Sequence, residues 1–352
     1  MRIVYNVLGI MSGTSLDGVD LALCKFVYLN GDWSFSVTKS ASYEYPKEWV
    51  ERLSFAQNLN AYHFVKLHRE YGVYIGKLVN KFVSREKVDF ISSHGHTVFH
   101  EPENNVCFQI GCPMQIAATT NLKVVADFRT LDIALGGQGA PLVPIGDKLL
   151  FSEYDACVNL GGFANISFET NSLMCAFDIC PVNIILNEIV NEAFNLAYDD
   201  KGMLGKKGMV NSSLLKELDE INFYSKMRPK SLGREWVEAI VKPILKKYEG
   251  IGYYDILATL YYHFANQIAK VLNDNEIEKV LFTGGGTFNT YLIELIQGMT
   301  KCELTIPSQE IIEFKEAIIF GFLGVLQQEG EVNCLKSVTG ARKDNCGGSV
   351  TN

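Results

Sequence analysis

The chain has 352 residues, 47% of them hydrophobic and 20% charged, with a formal net charge of −8; that length exceeds one ordinary core and suits two domains of about 150 residues each. No apolar run reaches the roughly 18 residues of a membrane span, and the nearest, residues 311–326, is broken by Glu313, Lys315 and Glu316. The negative balance argues against a nucleic-acid partner, and a nucleotide would need locally placed N–H groups, a basic residue and a divalent cation.

Met1-Arg2 leads straight into a strand with no small-residue cleavage site, so no signal peptide is expected and the chain is read as cytoplasmic. Residues 9–20, Gly-Ile-Met-Ser-Gly-Thr-Ser-Leu-Asp-Gly-Val-Asp, form a small polar loop between the apolar runs 3–8 and 19–23. A strand, a glycine and hydroxyl turn and a second strand can wrap backbone N–H groups around a phosphate. Gly9, Gly13 and Gly18 permit positive φ and close approach, Ser12, Thr14 and Ser15 carry hydroxyl donors, and Asp17 and Asp20 are candidates for a metal ion, directly or through water. A glycine hairpin with no ligand remains open on this segment alone.

Helical spacing over 62–83 precedes a strand at 87–91 that runs into Ser92-Ser93-His94-Gly95-His96-Thr97. His94 and His96, two apart in a strand, share a face on which zinc could sit with His100, Cys107 and Cys112. The spacing from Cys107 to Cys112 is not a zinc pattern and no second pair follows, so these histidines are read as fixing loop geometry. The nine cysteines, odd in number, read as reduced thiols. Residues 126–144 have little periodicity. A linker explains their glycines and prolines but not Asp127, Arg129, Asp132 and Gln138.

The stretch 155–168 repeats the plan of the first hairpin, an apolar strand entering Gly161-Gly162 and an alternating strand leaving through Asn165. A helical pattern over 254–271 precedes Lys279-Val280-Leu281-Phe282, which enters Thr283-Gly284-Gly285-Gly286-Thr287-Phe288-Asn289 and so echoes residues 87–97. Helix, strand, glycine loop, helix is the grammar of a duplicated α/β architecture with ligands at the C-terminal ends of strands. Residues 343–352 read as flexible chain.

Taken together, residues 9–20, 93–97, 109–111, 126–129, 136–144, 159–167, 177–183, 230–235, 283–289 and 316–317 resemble the anhydro-N-acetylmuramic acid kinases, of the actin, Hsp70 and sugar-kinase fold group. Thr339-Gly340-Ala341 resembles their closing motif. The resemblance implies an α/β, two-lobed fold with duplicated mixed-sheet domains around a hinge cleft, divided as 1–132 and 133–339, with 340–352 able to return to the first lobe. It implies a homodimer using ATP and Mg²⁺ that opens the 1,6-anhydro bond of 1,6-anhydro-N-acetylmuramic acid and phosphorylates O6, giving N-acetylmuramic acid 6-phosphate. Phosphoryl transfer is largely positioning and charge neutralisation, so Ser12, Gly13, Thr14 and Ser15 and the second-loop residues Gly161, Gly162 and Asn165 are expected around the phosphates. Asp17 is expected to link to Mg²⁺ through water. Gly284, Gly285, Gly286 and Asn289 are expected at the adenosine.

By the same resemblance, Asp178 corresponds to the aspartate of an Asp-Thr-Gly-Pro-Gly-Asn-like motif, the base that deprotonates the attacking water. A helix N-cap is a compatible second role for it. Thr97, Arg129, Asp132, Gln138 and Glu316 are the sugar candidates. Arg129 would pair with the lactyl carboxylate, and a structural ion pair with Asp127 or Asp132 is its rival. This chain departs from the motif, reading Asp178-Ile179-Cys180-Pro181-Val182-Asn183, with Asn187 where an acidic residue is usual. Cys180 and Val182 are expected to add bulk where the sugar or γ-phosphate approaches. A kinase for a different sugar, or a non-catalytic nucleotide- or sugar-binding relative, therefore stays open.

Overall fold

A computed structural model describes residues 2–13 and 16–352; Thr14 and Ser15 of the first loop lie outside the described residues. The chain forms two compact units, Met1–Phe151 with Phe314–Asn352, and Ser152–Glu313.

The first unit is built on a sheet of order β12-β6-β4-β1-β2-β3, with β5 paired to β4. Its strands are β1 (Arg2–Ser12), β2 (Gly18–Leu29), β3 (Asp32–Glu44), β4 (Phe90–Glu101), β5 (Val106–Ile110), β6 (Val124–Ala126) and β12 (Ser349–Thr351). β1, β2 and β3 run antiparallel in sequence, while β4 pairs parallel to β1 and β6 parallel to β4. Helices α1 (Lys47–Ser54), α2 (Ala61–Val83) and α3 (Pro113–Thr120) connect them. α2 begins at Asn60, whose side chain accepts from the His63 N–H, and it buries Leu67, Tyr71, Ile75, Val79 and Phe82 as one stripe.

The short helices α4 (Thr130–Ala134) and α5 (Pro144–Leu150), the long α12 (Gln309–Glu329) and α13 (Lys336–Thr339) complete this unit. The expected boundaries at 132 and 339 are displaced to 151 and 313 because α5 and α12 pack with the first sheet. A buried ion pair joins Lys315 Nζ to Asp147 Oδ1 at 2.7 Å, and the Phe322 ring lies 5.5 Å from Phe26 and 5.2 Å from Trp33. At Gly9 the helix backbone comes so close that a Cβ would stand 1.9 Å from the Ala317 carbonyl oxygen. Gly9 is therefore a packing glycine inside β1, with no positive φ, and not part of the phosphate turn. The C-terminus is a strand and not flexible chain: β12 pairs antiparallel with β6, and Cys334 and Asn345 exchange backbone hydrogen bonds.

The second unit has the order β11-β10-β7-β8-β9, from β7 (Ala156–Leu160), β8 (Phe163–Thr170), β9 (Leu173–Pro181), β10 (Lys279–Thr283) and β11 (Glu303–Thr305). Its helices are α6 (Asn183–Phe194), α7 (Ser212–Asp219), α8 (Arg234–Trp236), α9 (Lys242–Lys246), α10 (Tyr253–Asp274) and α11 (Thr290–Met299). β7, β8 and β9 form an antiparallel meander, β10 is parallel to β7, and β11 is parallel to β10. The two sheets thus share one connectivity: β7 to β11 repeat β1, β2, β3, β4 and β6. The hairpins β1–β2 and β7–β8 therefore hold equivalent places in the two sheets, and so do β4 and β10, although β4 continues as a strand to Glu101 where β10 ends at Thr283. An α/β protein with a duplicated mixed sheet is what the sequence grammar calls for.

Candidate active site

In the first unit the described part of the loop at 12–17 rests on a buried polar cluster. The Ser12 hydroxyl, expected on a phosphate, turns inward, 2.8 Å from Tyr71 Oη and 3.4 Å from His96 Nδ1, and accepts from Tyr45 Oη at 3.0 Å. Tyr45 and Tyr71 also share a hydrogen bond. Burial pushes the Tyr45 phenol up to about 12 and that of Tyr71 well up, so both remain protonated donors. Tyr45 N–H donates to the Asp17 carbonyl at 3.2 Å, which fixes the backbone and leaves the Asp17 side chain at the surface.

His94 and His96 do not converge on a metal. Gly95 between them has φ +76°, which interrupts strand alternation, and no group of three potential ligands occurs among the described residues. The His94 Nε2 accepts from Arg129 Nε at 3.1 Å, and Nδ1 lies 2.8 Å from the Gly95 carbonyl. Burial, with Arg129 beside it, brings His94 down to about 3. The ring is therefore neutral and carries its proton on Nδ1.

Arg129 donates through Nη1 to the Gly139 carbonyl at 2.6 Å. Among the described residues it makes no ion pair, so neither rival carboxylate holds it. The Asp127 carboxylate accepts from Thr130 N–H at 3.2 Å. Asp132, expected at the sugar, is fully buried and accepts from Thr339 Oγ1 and Asn345 Nδ2, each at 2.9 Å, Cys334 Sγ at 3.1 Å and Gly139 N–H at 2.8 Å. It ties the C-terminal segment to the 136–144 loop and presents nothing to a ligand. Gln138 is exposed, its N–H on the Thr339 carbonyl. Thr97 is half-buried and accepts from Gln109 Nε2 at 3.4 Å. Glu316 is solvent-accessible, yet desolvation by surrounding protein raises its carboxyl pKa against the opposing charges of Arg129 and Lys315.

In the second unit the two glycine loops pack together. A Cβ at Gly284, where φ is +83°, would meet Asn159 Oδ1 at 2.5 Å, and one at Gly286 would meet Leu160 Cβ at 2.7 Å. Both glycines are thus required by the end of β7. The Gly162 carbonyl accepts from Val182 and Ile184 N–H and so closes the first turn of α6, while Gly161 N–H is engaged by the Phe163 carbonyl. Asn289, expected at the adenosine, spends both polar ends on the framework: Oδ1 accepts from Leu292 N–H at 3.1 Å as the cap of α11, and Nδ2 donates to Tyr261 Oη at 2.7 Å.

Asp178 stands directly opposite Asn165, the next pair being Cys180 with Ala164, so Ile179 is an extra residue in β9. Such a bulge re-aims the side chain beside it. Asp178 is half-buried, and desolvation raises its carboxyl pKa while a 2.8 Å hydrogen bond from Leu232 N–H to Oδ2 opposes the rise. It is not the cap of α6, a position held by Val182. Cys180 and Val182 are fully buried in the unit's apolar core, where burial drives the Cys180 thiol well up. Their bulk faces the core and not the Asp178 surface, contrary to the expectation from sequence.

The sequence profile described as anhydro-N-acetylmuramic acid kinase matches residues 5–352. The chain belongs to the anhydro-N-acetylmuramic acid kinase family. It is 34% identical over 374 residues to the anhydro-N-acetylmuramic acid kinase of Bacillus cereus (strain Q1), covering 97% of this chain and 98% of that one. To that of Francisella tularensis subsp. novicida (strain U112) it is 34% identical over 362 residues, covering 95% of each.

One glycine of the 283–289 loop has no packing role in the framework. Gly285 is exposed, its φ is not in the left-handed region, and a Cβ there would meet no protein atom within 4 Å. Replacing Gly285 with valine is expected to raise the KM for ATP by about tenfold or more, equivalent to ~1.4 kcal/mol, with no change in melting temperature. Nucleotide titration beside a thermal scan checks this, and a valine variant with wild-type affinity removes Gly285 from the nucleotide site.

Sequence reasoning missed Tyr45, Tyr71 and the Leu232 amide. The first two are joined to Ser12 only by the fold. The last lies in the stretch 230–235, which the resemblance had marked without giving it a role.

Proposed function

We propose that this protein is an ATP-dependent kinase that opens the 1,6-anhydro bond of 1,6-anhydro-N-acetylmuramic acid and phosphorylates O6, yielding N-acetylmuramic acid 6-phosphate and ADP. The observation that carries the reading is Asp178: a carboxylate at a bulge, one oxygen held by Leu232 N–H and its proton affinity raised by burial. Such a group takes the proton from the water that attacks C1 as the bond from C1 to O6 breaks, and the freed O6 then receives the γ-phosphoryl group. A positioned base contributes roughly 10²–10⁴ in rate.

Gly285 gives the nucleotide close backbone approach, on loops whose shape Gly161, Gly162, Gly284 and Gly286 allow. Gly13, with Thr14 and Ser15, takes the phosphates in the first unit. Arg129, which makes no ion pair among the described residues and has Glu316 as a charged neighbour, binds the lactyl carboxylate, a charge-assisted contact that a neutral hexose does not offer. Thr97, Gln138 and Glu316 complete the sugar contacts.

Asp17 fits Mg²⁺ as a surface carboxylate with a fixed backbone, in keeping with a cation that is held by one or two carboxylates, waters and substrate phosphates. When bound, Mg²⁺ supplies charge neutralisation at the phosphates. No helix among the described residues is long and apolar enough to cross a membrane; a cytoplasmic homodimer follows from the family resemblance alone.

The test is a panel of sugars, including 1,6-anhydro-N-acetylmuramic acid and neutral hexoses, read by ADP release with ATP and Mg²⁺. The anhydro sugar is expected to be the preferred acceptor and to end as a 6-phosphate. Turnover of another sugar alone, or ligand binding without ADP release, overturns the reading.

A further inference from the structure

The second unit holds a polar chain centred on a fully buried histidine, and none of its residues is among the proposed nucleotide or sugar contacts. Asp219 closes α7, and its Oδ1 lies 2.6 Å from His263 Nδ1. His263, in α10, has no exposed surface, and its Nε2 lies 2.9 Å from Tyr224 Oη. With Asp219 as a carboxylate, the ring donates from Nδ1 and accepts the phenol proton at Nε2, so the chain has one direction: Tyr224 to His263 to Asp219. Gln267 Nε2 donates to the same carboxylate oxygen at 3.0 Å.

Tyr224 begins a loop that ends on Asp178. Lys230 folds back so that Nζ donates to the Phe223 and Tyr224 carbonyls at 3.2 and 3.3 Å. The Lys230 carbonyl accepts from Asp178 N–H at 3.1 Å, and two residues on, Leu232 N–H reaches Asp178 Oδ2 at 2.8 Å. The loop is thus clipped shut at its base, and its outer limb grips both backbone and side chain of Asp178. A buried histidine costs desolvation that an apolar residue of similar size would not, and what it supplies in exchange is a fixed attachment point. We propose that Tyr224 and His263 are positioning residues for Asp178, the Asp219–His263–Tyr224 chain anchoring the loop whose Leu232 amide holds one oxygen of the carboxylate. This rests on Asp178 being the base.

The Leu232 amide is the hydrogen-bond donor that acts on the Asp178 carboxyl; the Asp178 charge in turn reaches the core thiol of Cys180, where Lys230 of the loop opposes it, and Lys270 acts on Lys230. Leu232 N–H favours the ionised carboxylate; loosening it leaves desolvation less opposed and moves protonation to higher pH. The experiment is Tyr224→Phe in the full chain, which removes one hydroxyl and keeps the ring against Phe223 and Trp236. Asp219→Asn serves as second variant should the first not fold. The expected result is amide exchange at 230–233 faster by about tenfold, an acid limb of kcat displaced upward by about half to one pH unit, and an unchanged KM for ATP. Unchanged exchange overturns the anchor. Faster exchange with an unmoved acid limb overturns the positioning role, leaving the chain merely structural. Failure of the base assignment is separate: it shows as full activity in Asp178→Asn, while exchange at 230–233 still reports on the anchor.

Discussion

Asp178→Asn is expected to lower kcat with ATP and 1,6-anhydro-N-acetylmuramic acid by about 10²–10⁴-fold, with nucleotide affinity changed less than about twofold. The amide has the shape of the carboxylate and retains an oxygen for the Leu232 N–H, so the loop contact at 2.8 Å survives and only proton affinity is lost. Wild-type activity should fall as pH drops through a pKa above the ordinary aspartate value of about 3.9, because burial raises it. The base works ionised, so activity is complete above that pKa and absent below it, and the variant should show no such limb. Steady-state rates across pH with calorimetric nucleotide titration decide the matter. A variant with near wild-type turnover removes Asp178 from the chemistry.

What the sequence made legible follows from how local each signal is. The paired hairpins at 9–20 and 159–167, and the paired strands entering 92–97 and 283–289, are short patterns whose meaning is set by neighbours in the chain, and their strands take equivalent places in the two sheets. Gly9 misled because a glycine is equally suited to a turn and to a close contact. Only the presence of Ala317, some three hundred residues away, selects the second. Cys180 and Val182 misled through strand parity: the bulge at Ile179 shifts alternation by one residue, so side chains that simple counting places on the Asp178 face lie in the core. The Ser12, Tyr45, Tyr71 and His96 cluster had no local signature at all, since its members come from β1, β4, α2 and the turn before α1.

Asp132 is the sharpest separation between what its neighbours in sequence imply and what the fold does with it. Asp132→Ala is expected to cost about 3–5 kcal/mol, from buried donors left unpaired at about 1–3 kcal/mol each. It strands the Gly139 N–H and the Asn345 amide, whose side chain has no other hydrogen bond among the described residues, and leaves the Thr339 hydroxyl only the Leu335 carbonyl, at 3.3 Å, as acceptor. For a unit of this size that is a fall of roughly 6–20 °C in melting temperature. The loss should begin at the C-terminus: Asn345 bridges to Cys334, and β12 beyond it holds the sheet edge through β6. Limited proteolysis should therefore cut the variant first near 340–352, before the second unit is touched, while nucleotide binding by the intact fraction persists. The opposite pattern, wild-type melting with a raised KM for the sugar, would return Asp132 to the substrate site; as the fold stands, three donors crowd Oδ1, Gly139 N–H holds Oδ2, and the side chain has no exposed surface to offer a sugar hydroxyl.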